Sequence, residues 1–284
     1  MAAITLFHLS DIHFGLEDRR ALAWVREAIA RERPDAVAIT GDLTMRARHR
    51  EYEAACEWIG GSGGPVTGGG GNHDMPHFNL WERFTDPYRR YRGIETRVEA
   101  EIDLPGLAIV PLKTVARAQW RFPWSNGWIT REALAETLNA IDTLPQGMKA
   151  IITAHHPLVE RREDGKLLTR GGDEAMAELA RRGVLAGLSG HIHDPFDMVR
   201  QPAGGPLRLI GAGTLSRRIR STPASYNVLQ IDGETIRVTH RNLEHVPDAA
   251  MRIDAIPEDA LPPREPGEPV APVHRVPDID PPVH

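Results

Sequence analysis

The amino-terminal part of the chain follows a strand–helix–strand pattern, which restricts the folds open to it. Residues 4–9 form a short apolar run, residues 20–33 carry apolar side chains at helical spacing before Pro34, and residues 35–40 form a second apolar run. Two strands joined through a helix lie parallel in one sheet, and their carboxyl ends share one edge. The pattern therefore predicts an α/β fold with its functional residues at that edge.

Metal-capable side chains follow each strand-like run. Asp11 and His13 come after the first run and share a face of extended backbone, because they are two residues apart. Asp42 follows the second run. Three later runs end in the same way, with Asn72 and His73 after residues 66–67, His155 after residues 150–154, and His191 and His193 after residues 184–189. Chance rarely places such residues at the same end of five runs, so we expect one metal-binding site.

Composition limits the chemistry of this site. With one cysteine, Cys56, the chain has no internal disulfide, and any metal is held by oxygen and nitrogen. Such donors suit Mn²⁺, Fe or Zn²⁺, and their number fits two ions better than one. A net charge of -5 gives no reason to expect the cationic surface of a nucleic-acid binder. The sequence shows neither a signal peptide nor an apolar run long enough for a bilayer, so a cytoplasmic location is expected.

The glycine run Gly68–Gly71 leaves two interpretations open. Only Val66 and Thr67 favour a third strand before the run, because consecutive glycines are poor strand formers. The run is either a flexible loop or a place where the backbone passes very close to the metals.

The rest of the chain predicts further elements and a tail. Helices are expected over residues 48–59, 130–141 (capped by Thr130) and 174–182, and strands over 107–112, 207–210, 225–231 and 235–239. Asp232-Gly233 predicts a hairpin between the last two strands. Prolines and charges crowd the chain after about Val246. We therefore expect a folded domain over residues 1–246 and a Pro-rich tail, residues 247–284, that is disordered or packed on the surface.

The order of these motifs resembles the calcineurin-like metallophosphoesterase superfamily. Asp-x-His, Gly-Asp, Gly-Asn-His-Asp, His and Gly-His-x-His occur in that order over about residues 5–215. The opening segment, residues 8–13 (His-Leu-Ser-Asp-Ile-His), is most similar to the class III cyclic-nucleotide phosphodiesterase branch. The resemblance implies a four-layer α/β/β/α sandwich of two mixed β-sheets flanked by helices, with a dinuclear metal centre at the sheet edge.

The resemblance also implies a role for each motif residue. It assigns one metal to Asp11, His13 and His193, the other to Asn72, His155 and His191, and the bridging position to Asp42. His73 would stand beside the scissile phosphate and donate to the developing oxyanion or leaving oxygen, with Asp74 orienting its imidazole. Arg46 and His156 are predicted to bind substrate.

The activity implied is hydrolysis of a small phosphorylated substrate. Two cations neutralise the phosphate and lower the pKa of a bridging water, which attacks phosphorus in line. A phosphodiesterase acting on a cyclic nucleotide or related diester is the first hypothesis. Cleavage of a pyrophosphate, as in the UDP-diacylglucosamine hydrolases, or of a phosphomonoester is an alternative. A non-catalytic metal-binding scaffold is another, although such a protein is expected to have lost ligands and all eight key residues are present here.

Substrate specificity is expected to come from segments around the predicted centre. These are Arg46, the arginine-rich and aromatic-rich residues 83–92, the tryptophan-rich loop of residues 120–128, and residues 213–218. Family members often form homodimers, but the sequence shows no clear interface stripe, so a monomer and a homodimer both stay open.

Overall fold

The computed structural model describes residues 3–68, 70–74, 102–115, 126–159 and 168–243. Four helices lie in these ranges: α1 (Arg19–Glu32), α2 (His49–Gly60), α3 (Arg131–Asp142) and α4 (Gly172–Arg181). The strands are β1 (Ile4–Leu9), β2 (Ala36–Ile39), β3 (Val66–Gly68), β4 (Leu107–Pro111), β5 (Gly127–Trp128), β6 (Lys149–Thr153), β7 (Thr169–Arg170), β8 (Ala186–Ser189), β9 (Phe196–Arg200), β10 (Leu207–Gly211), β11 (Ser225–Asp232) and β12 (Thr235–Asn242).

Two five-stranded mixed sheets form the body of the described chain. The first has the order β12-β11-β1-β2-β3, in which β1, β2 and β3 are parallel and β11 is antiparallel to both β1 and β12. The second has the order β4-β6-β8-β10-β9 and is parallel except for β9. The short strands β5 and β7 pair separately. The predicted βαβ unit and the closing hairpin are both present.

Side-chain alternation along the strands explains the four layers. Leu6 of β1 and Ile151 of β6 belong to one apolar cluster that lies between the two sheets. Their neighbours Phe7 and Ile152 point to the opposite faces, where Phe7 packs in a cluster with residues of α1 and α2, and Ile152 in a cluster with residues of α3 and α4. The order helices, sheet, sheet, helices confirms the predicted sandwich.

The helices begin where the sequence supplies caps. Asp18 accepts hydrogen bonds from the backbone N–H groups of Arg20 and Ala21 at the start of α1, and Thr130 accepts from Ala133 at the start of α3. All four observed helices lie within two residues of their predicted bounds. The third strand, which the sequence supported weakly, is present as the three-residue β3, with Val66 opposite Val37 of β2.

Several predictions fall outside the described residues. These are the tail from residue 247, residues 83–92, and residues 120–125 of the tryptophan-rich loop. Among the described helices, none combines the length and the apolar character that crossing a bilayer requires.

Candidate metal centre

Five loops at the carboxyl ends of β1, β2, β3, β6 and β8 bring the predicted ligands together. The loops are tied by backbone hydrogen bonds, with Asp11 N donating to Gly41 O and Gly190 N to His155 O, both across the strand ends. Ligand atoms of these loops form four overlapping groups, each with its atoms within 4.8 Å of one another. The groups are Asp11, His13 and His193; Asp11, Asp42 and His155; His13, Asp42 and His73; and His155, His156 and His191.

Asp11, His13 and His193 form what we call the first ligand group. All three residues are buried. His193 Nε2 lies 3.1 Å from Asp11 Oδ1 and 3.3 Å from His13 Nε2. Three donor atoms thus converge from the ends of two different strands, as the sequence predicted.

Asn72, His155 and His191 form the second ligand group. His155 Nε2 lies 2.9 Å from Asn72 Oδ1, and the rings of His155 and His191 are 5.2 Å apart between centroids. Asp42 lies between the two groups, because its Oδ2 is 3.4 Å from His155 Nε2 and 3.8 Å from His13 Nε2. This is the position that a bridging carboxylate requires.

Backbone carbonyls orient one histidine in each group. His155 Nδ1 lies 2.9 Å from Thr40 O, and His193 Nδ1 lies 2.7 Å from Arg218 O. A carbonyl only accepts hydrogen bonds, so Nδ1 is the donor in both rings and Nε2 faces the other ligands. This arrangement fixes the ring orientation that a metal-binding histidine needs.

The backbone of the ligands is unusual. Seven non-glycine residues in the described ranges have positive φ, and five of them are predicted ligands. These five are Asp11 (52°), His13 (51°), Asp42 (52°), His191 (69°) and His193 (67°). Left-handed backbone is rare for such residues and concentrates at functional sites, because the surrounding structure must enforce it.

Two glycines allow the loops to approach one another. A Cβ atom on Gly71 would lie 2.1 Å from Asp42 Oδ1, and one on Gly190 would lie 1.8 Å from Ser10 Oγ. Both distances are far below van der Waals contact, so a larger residue would displace a ligand loop. At Gly71 the backbone therefore passes very close to Asp42, the predicted bridging ligand, which favours the second interpretation of the glycine run.

The ligand atoms of this site are suited to binding metal ions. Asp11 Oδ1 is buried and makes no hydrogen bond among the described residues. Burial lowers the pKa of His13 and of His191 to about 4, which keeps both imidazoles in the neutral form that binds metals. Burial acts the same way on His155, but the carboxylate of Asp42 prevails and raises its pKa to about 9. Buried oxygen and imidazole donors without thiolate suit Mn²⁺, Fe and Zn²⁺.

His73 lies beside the first ligand group. Its ring is 4.9 Å from that of His13 and nearly perpendicular to it, at 88°. Its Nδ1 lies 2.9 Å from Met45 O, so Nε2 is directed away from that carbonyl. Its backbone N–H donates to Asp42 Oδ1 at 2.9 Å. His73 is therefore held by Asp42 and Met45.

Asp74 does not orient the imidazole of His73 as predicted. Its carboxylate accepts hydrogen bonds from the backbone N–H groups of Leu43, Thr44 and Gly71 and from the Thr44 hydroxyl. Burial, reinforced by the charge of Asp42, raises the pKa of Asp74 to about 6. Asp74 thus fixes the loops after β2 and β3 against each other, and the Met45 carbonyl orients His73.

Among the described residues, Arg218 contacts the histidines of the centre, whereas the substrate contact predicted for Arg46 stays a prediction. Arg46 is exposed, and its described hydrogen bond is from its backbone N–H to Glu51 Oε2. Arg218 is half-buried, and its Nη1 lies 3.2 Å from His73 Nε2 and 3.5 Å from His13 Nε2. The sequence pointed to this residue only through the segment 213–218.

His156 lies next to the second ligand group. Its ring is 4.4 Å from that of His191 between centroids, and its Nδ1 lies 3.0 Å from Thr114 Oγ1. Its location beside the ligands makes a substrate contact feasible, which stays a prediction.

The calcineurin-like phosphoesterase family model matches residues 4–195, which is more than half of the chain. The chain belongs to this family. The match includes the loops that carry both ligand groups. No curated protein sequence matches significantly.

Solved structures share the fold of this calcineurin-like phosphoesterase at low sequence identity. A dimetal phosphatase from Danio rerio has a TM-score of 0.59 and 14% identity, over 85% of this chain and 97% of that chain. A purple acid phosphatase from yellow lupin, Lupinus luteus, has a TM-score of 0.61 and 14% identity, over 85% of this chain and 52% of that chain. These likenesses support the two-sheet architecture.

Family membership and the ligand geometry together define the general activity. The protein is a metal-dependent phosphoester hydrolase with a dinuclear metal centre, and we expect the two ions to bind at the ligand-competent groups of the strand ends.

Proposed function

We propose that the protein hydrolyses a small phosphodiester, such as a cyclic nucleotide or a related diester, at this dinuclear centre. Two metal ions bound there would neutralise the phosphate and lower the pKa of a water held between them. Asp11, His13 and His193 would hold one ion, Asn72, His155 and His191 the other, and Asp42 both. The chain's own residues then have to position the ester and manage the proton of the leaving group.

The placement of His73 carries the proposal. Its ring stands edge-on to His13, and its Nδ1–H donates a hydrogen bond to the Met45 carbonyl. Any second proton on this imidazole is therefore at Nε2, on the side of the ligands. From there it can be donated to the oxygen that leaves phosphorus.

The choice of a diester rests on the amino-terminal motif. Residues 8–13 are most similar to the class III phosphodiesterase branch. The two structural neighbours are phosphatases by name, which supports phosphoester hydrolysis without favouring diesters. For the metals we propose Mn²⁺ or Fe, with Zn²⁺ as the alternative, since each accepts imidazole and carboxylate ligands.

Hydrolysis of two model esters tests the proposal. Metal-stripped protein is restored with Mn²⁺ and assayed on bis(p-nitrophenyl) phosphate and on p-nitrophenyl phosphate. We expect a higher kcat/KM on the diester, followed by activity on cyclic nucleotides. A preference for the monoester contradicts the phosphodiesterase assignment and leaves the general activity intact.

A second candidate function is supported by exposed apolar residues near the centre. Leu16 and Ile219 are 40% and 56% exposed, and they lie in adjoining segments because Arg217 N donates to Leu16 O at 2.9 Å. Such side chains favour a substrate with an apolar group, as in pyrophosphate cleavage by a UDP-diacylglucosamine-type hydrolase. A kcat/KM that rises with acyl-chain length on nucleoside-diphosphate lipids would support this candidate over the small diester.

A further inference from the structure

We propose that the guanidinium of Arg218 binds a non-bridging oxygen of the scissile phosphate, an inference that rests on the proposed phosphoester hydrolysis at the centre. The residue lies outside the ligand groups, in the loop that follows β10. Its backbone, its side chain and the absence of a carboxylate beside it among the described residues each support this role.

The backbone of Arg218 is fixed to the first ligand group. Its carbonyl accepts from His193 Nδ1 at 2.7 Å, and its N–H donates to Ser216 Oγ at 3.2 Å. Ser216 Oγ lies 2.7 Å from Thr214 Oγ1, which donates to Asp11 O at 2.7 Å. Thr214 and Ser216 are both fully buried. Arg218 is therefore anchored to two metal ligands through its own backbone and a buried hydroxyl pair.

The side chain of Arg218 extends over the ligands. Its Nη1 faces the Nε2 atoms of His73 and His13, at 3.2 Å and 3.5 Å. The guanidinium is always protonated and can only donate, whereas the lone pair of His13 Nε2 is the one a metal ion takes. Metal and guanidinium cannot share this lone pair, and His73 Nε2 cannot accept from Arg218 while it carries the proton that it donates to the leaving oxygen. In the metal-loaded protein the donors of Arg218 are therefore available to an anion above the centre.

Arg218 also has no carboxylate partner in the described part of the chain. The hydrogen bonds described for its guanidinium all involve Nη1, with His73, His13 and Met45 Sδ as acceptors. A half-buried cation with no carboxylate beside it in the described ranges is suited to an anionic ligand. The fork of N–H donors matches phosphate oxygens, which carry the charge of the transition state.

Binding of inorganic phosphate tests the proposal separately from turnover. Arg218→Ala and Arg218→Lys are compared with the wild type and with Arg220→Ala, which removes the same charge at an exposed position of the same loop. All proteins are loaded with Mn²⁺, and the metal content is measured. Affinity for orthophosphate is measured by calorimetry, and kcat and KM on bis(p-nitrophenyl) phosphate by absorbance.

We expect Arg218→Ala to retain two metal equivalents and to bind orthophosphate about 10-fold to 100-fold more weakly, with a similar loss in kcat/KM. Arg218→Lys should fall between Arg218→Ala and the wild type, because it restores the charge without the fork. Arg220→Ala should match the wild type.

Two results would overturn the proposal. One is an orthophosphate affinity in Arg218→Ala within twofold of the wild type at full metal content. The other is loss of metal from both Arg218 variants, which would make the side chain a support of the ligands. Failure of the wild type to hydrolyse either model ester would instead contradict the proposed function, while the phosphate titration still reports on Arg218.

Discussion

The two ligand groups are held in different ways. The first group is completely buried, its three members all have left-handed backbone, and its Asp11 Oδ1 makes no hydrogen bond among the described residues. In the second group His191 is partly exposed, and His155 and Asn72 are hydrogen-bonded to each other at 2.9 Å. The backbone therefore preorganises the first group, whereas ligands of the second group satisfy each other.

This contrast predicts an order of metal binding. In the described part of the chain, a cation entering the first group finds Asp11 Oδ1, which accepts no hydrogen bond, and replaces only the longer contact of 3.3 Å between His13 Nε2 and His193 Nε2. A cation entering the second group must first replace the hydrogen bond between His155 and Asn72. We therefore expect the first group to bind its metal more tightly than the second.

The largest effect is expected at Asp42, because it contacts both groups. Asp42→Ala should lose both metal equivalents and reduce hydrolysis of bis(p-nitrophenyl) phosphate to background, since neither group retains the shared carboxylate. Metal content after dialysis and the hydrolysis rate measure this.

A matched variant separates loss of the carboxylate from backbone strain. Glycine adopts the φ of 52° found at Asp42 without strain, so Asp42→Gly removes the side chain and relieves the backbone. We expect it to lose both metals as well. Two metal equivalents in Asp42→Gly would show that this carboxylate does not bridge the groups.

A large effect on turnover alone is expected at His73. His73→Ala should lower kcat about a hundredfold or more and keep both metals, because in the proposed mechanism the imidazole donates a proton to the leaving oxygen. His73 also lies in a ligand-competent group with His13 and Asp42. Metal content therefore decides its role, and loss of one equivalent in His73→Ala would make it a ligand.

Loss of single ligands should separate the two groups. In a Mn²⁺ titration of metal-free protein, His193→Ala should weaken the tighter binding step and Asn72→Ala the weaker one, each by at least about tenfold. The wild type provides the two reference affinities. If both variants weaken the same step, the proposed order of binding is wrong.

The smallest effect is expected at His8, a buried histidine of β1 outside both groups. Its Nε2 lies 3.1 Å from Thr40 Oγ1 and its Nδ1 3.3 Å from Asn227 Nδ2, and burial lowers its pKa from 6.5 to about 3. The unfolded chain takes up the proton first, so this stabilisation is complete above pH 6.5 and is lost as the pH falls toward 3.

Urea unfolding of metal-free protein at pH 7 and pH 5.5 measures this. The wild type should lose about 1 kcal/mol more of its free energy of unfolding than His8→Gln over this interval. Equal losses in the two proteins would mean that the pKa of His8 is the same in the folded and the unfolded chain.

Local sequence patterns were sufficient for the strand ends and for the convergence of the metal-capable residues that follow them. Apolar runs mark the strands, and parallel pairing gathers residues such as Asp11 and Asp42 at one edge. The sequence did not reveal the partners that orient the ligands. Met45 and Arg218 orient histidines through their backbone carbonyls. Every residue type has such a carbonyl, so the sequence carries no signal for these contacts.

The prediction for Asp74 was wrong for a related reason. Proximity in sequence to His73 suggested a side-chain contact, but the tight loop turns the Asp74 carboxylate toward backbone N–H groups instead. The substrate contact of Arg46, which is exposed, stays a prediction, and Arg218 reaches the centre from a loop far along the chain. Such contacts depend on loop conformations with positive φ, which hydrophobic patterns do not encode.

At the predicted ligands with positive φ, the side chain that binds the metal also destabilises the folded backbone. Glycine adopts this conformation freely, whereas each Asp or His there raises the free energy of the folded chain by about 1 kcal/mol or more. The Cβ atom that carries the ligand at Asp11 or His191 is thus the atom that strains the fold. Selection for stability alone would favour glycine at such positions, so the side chains present there record selection for activity.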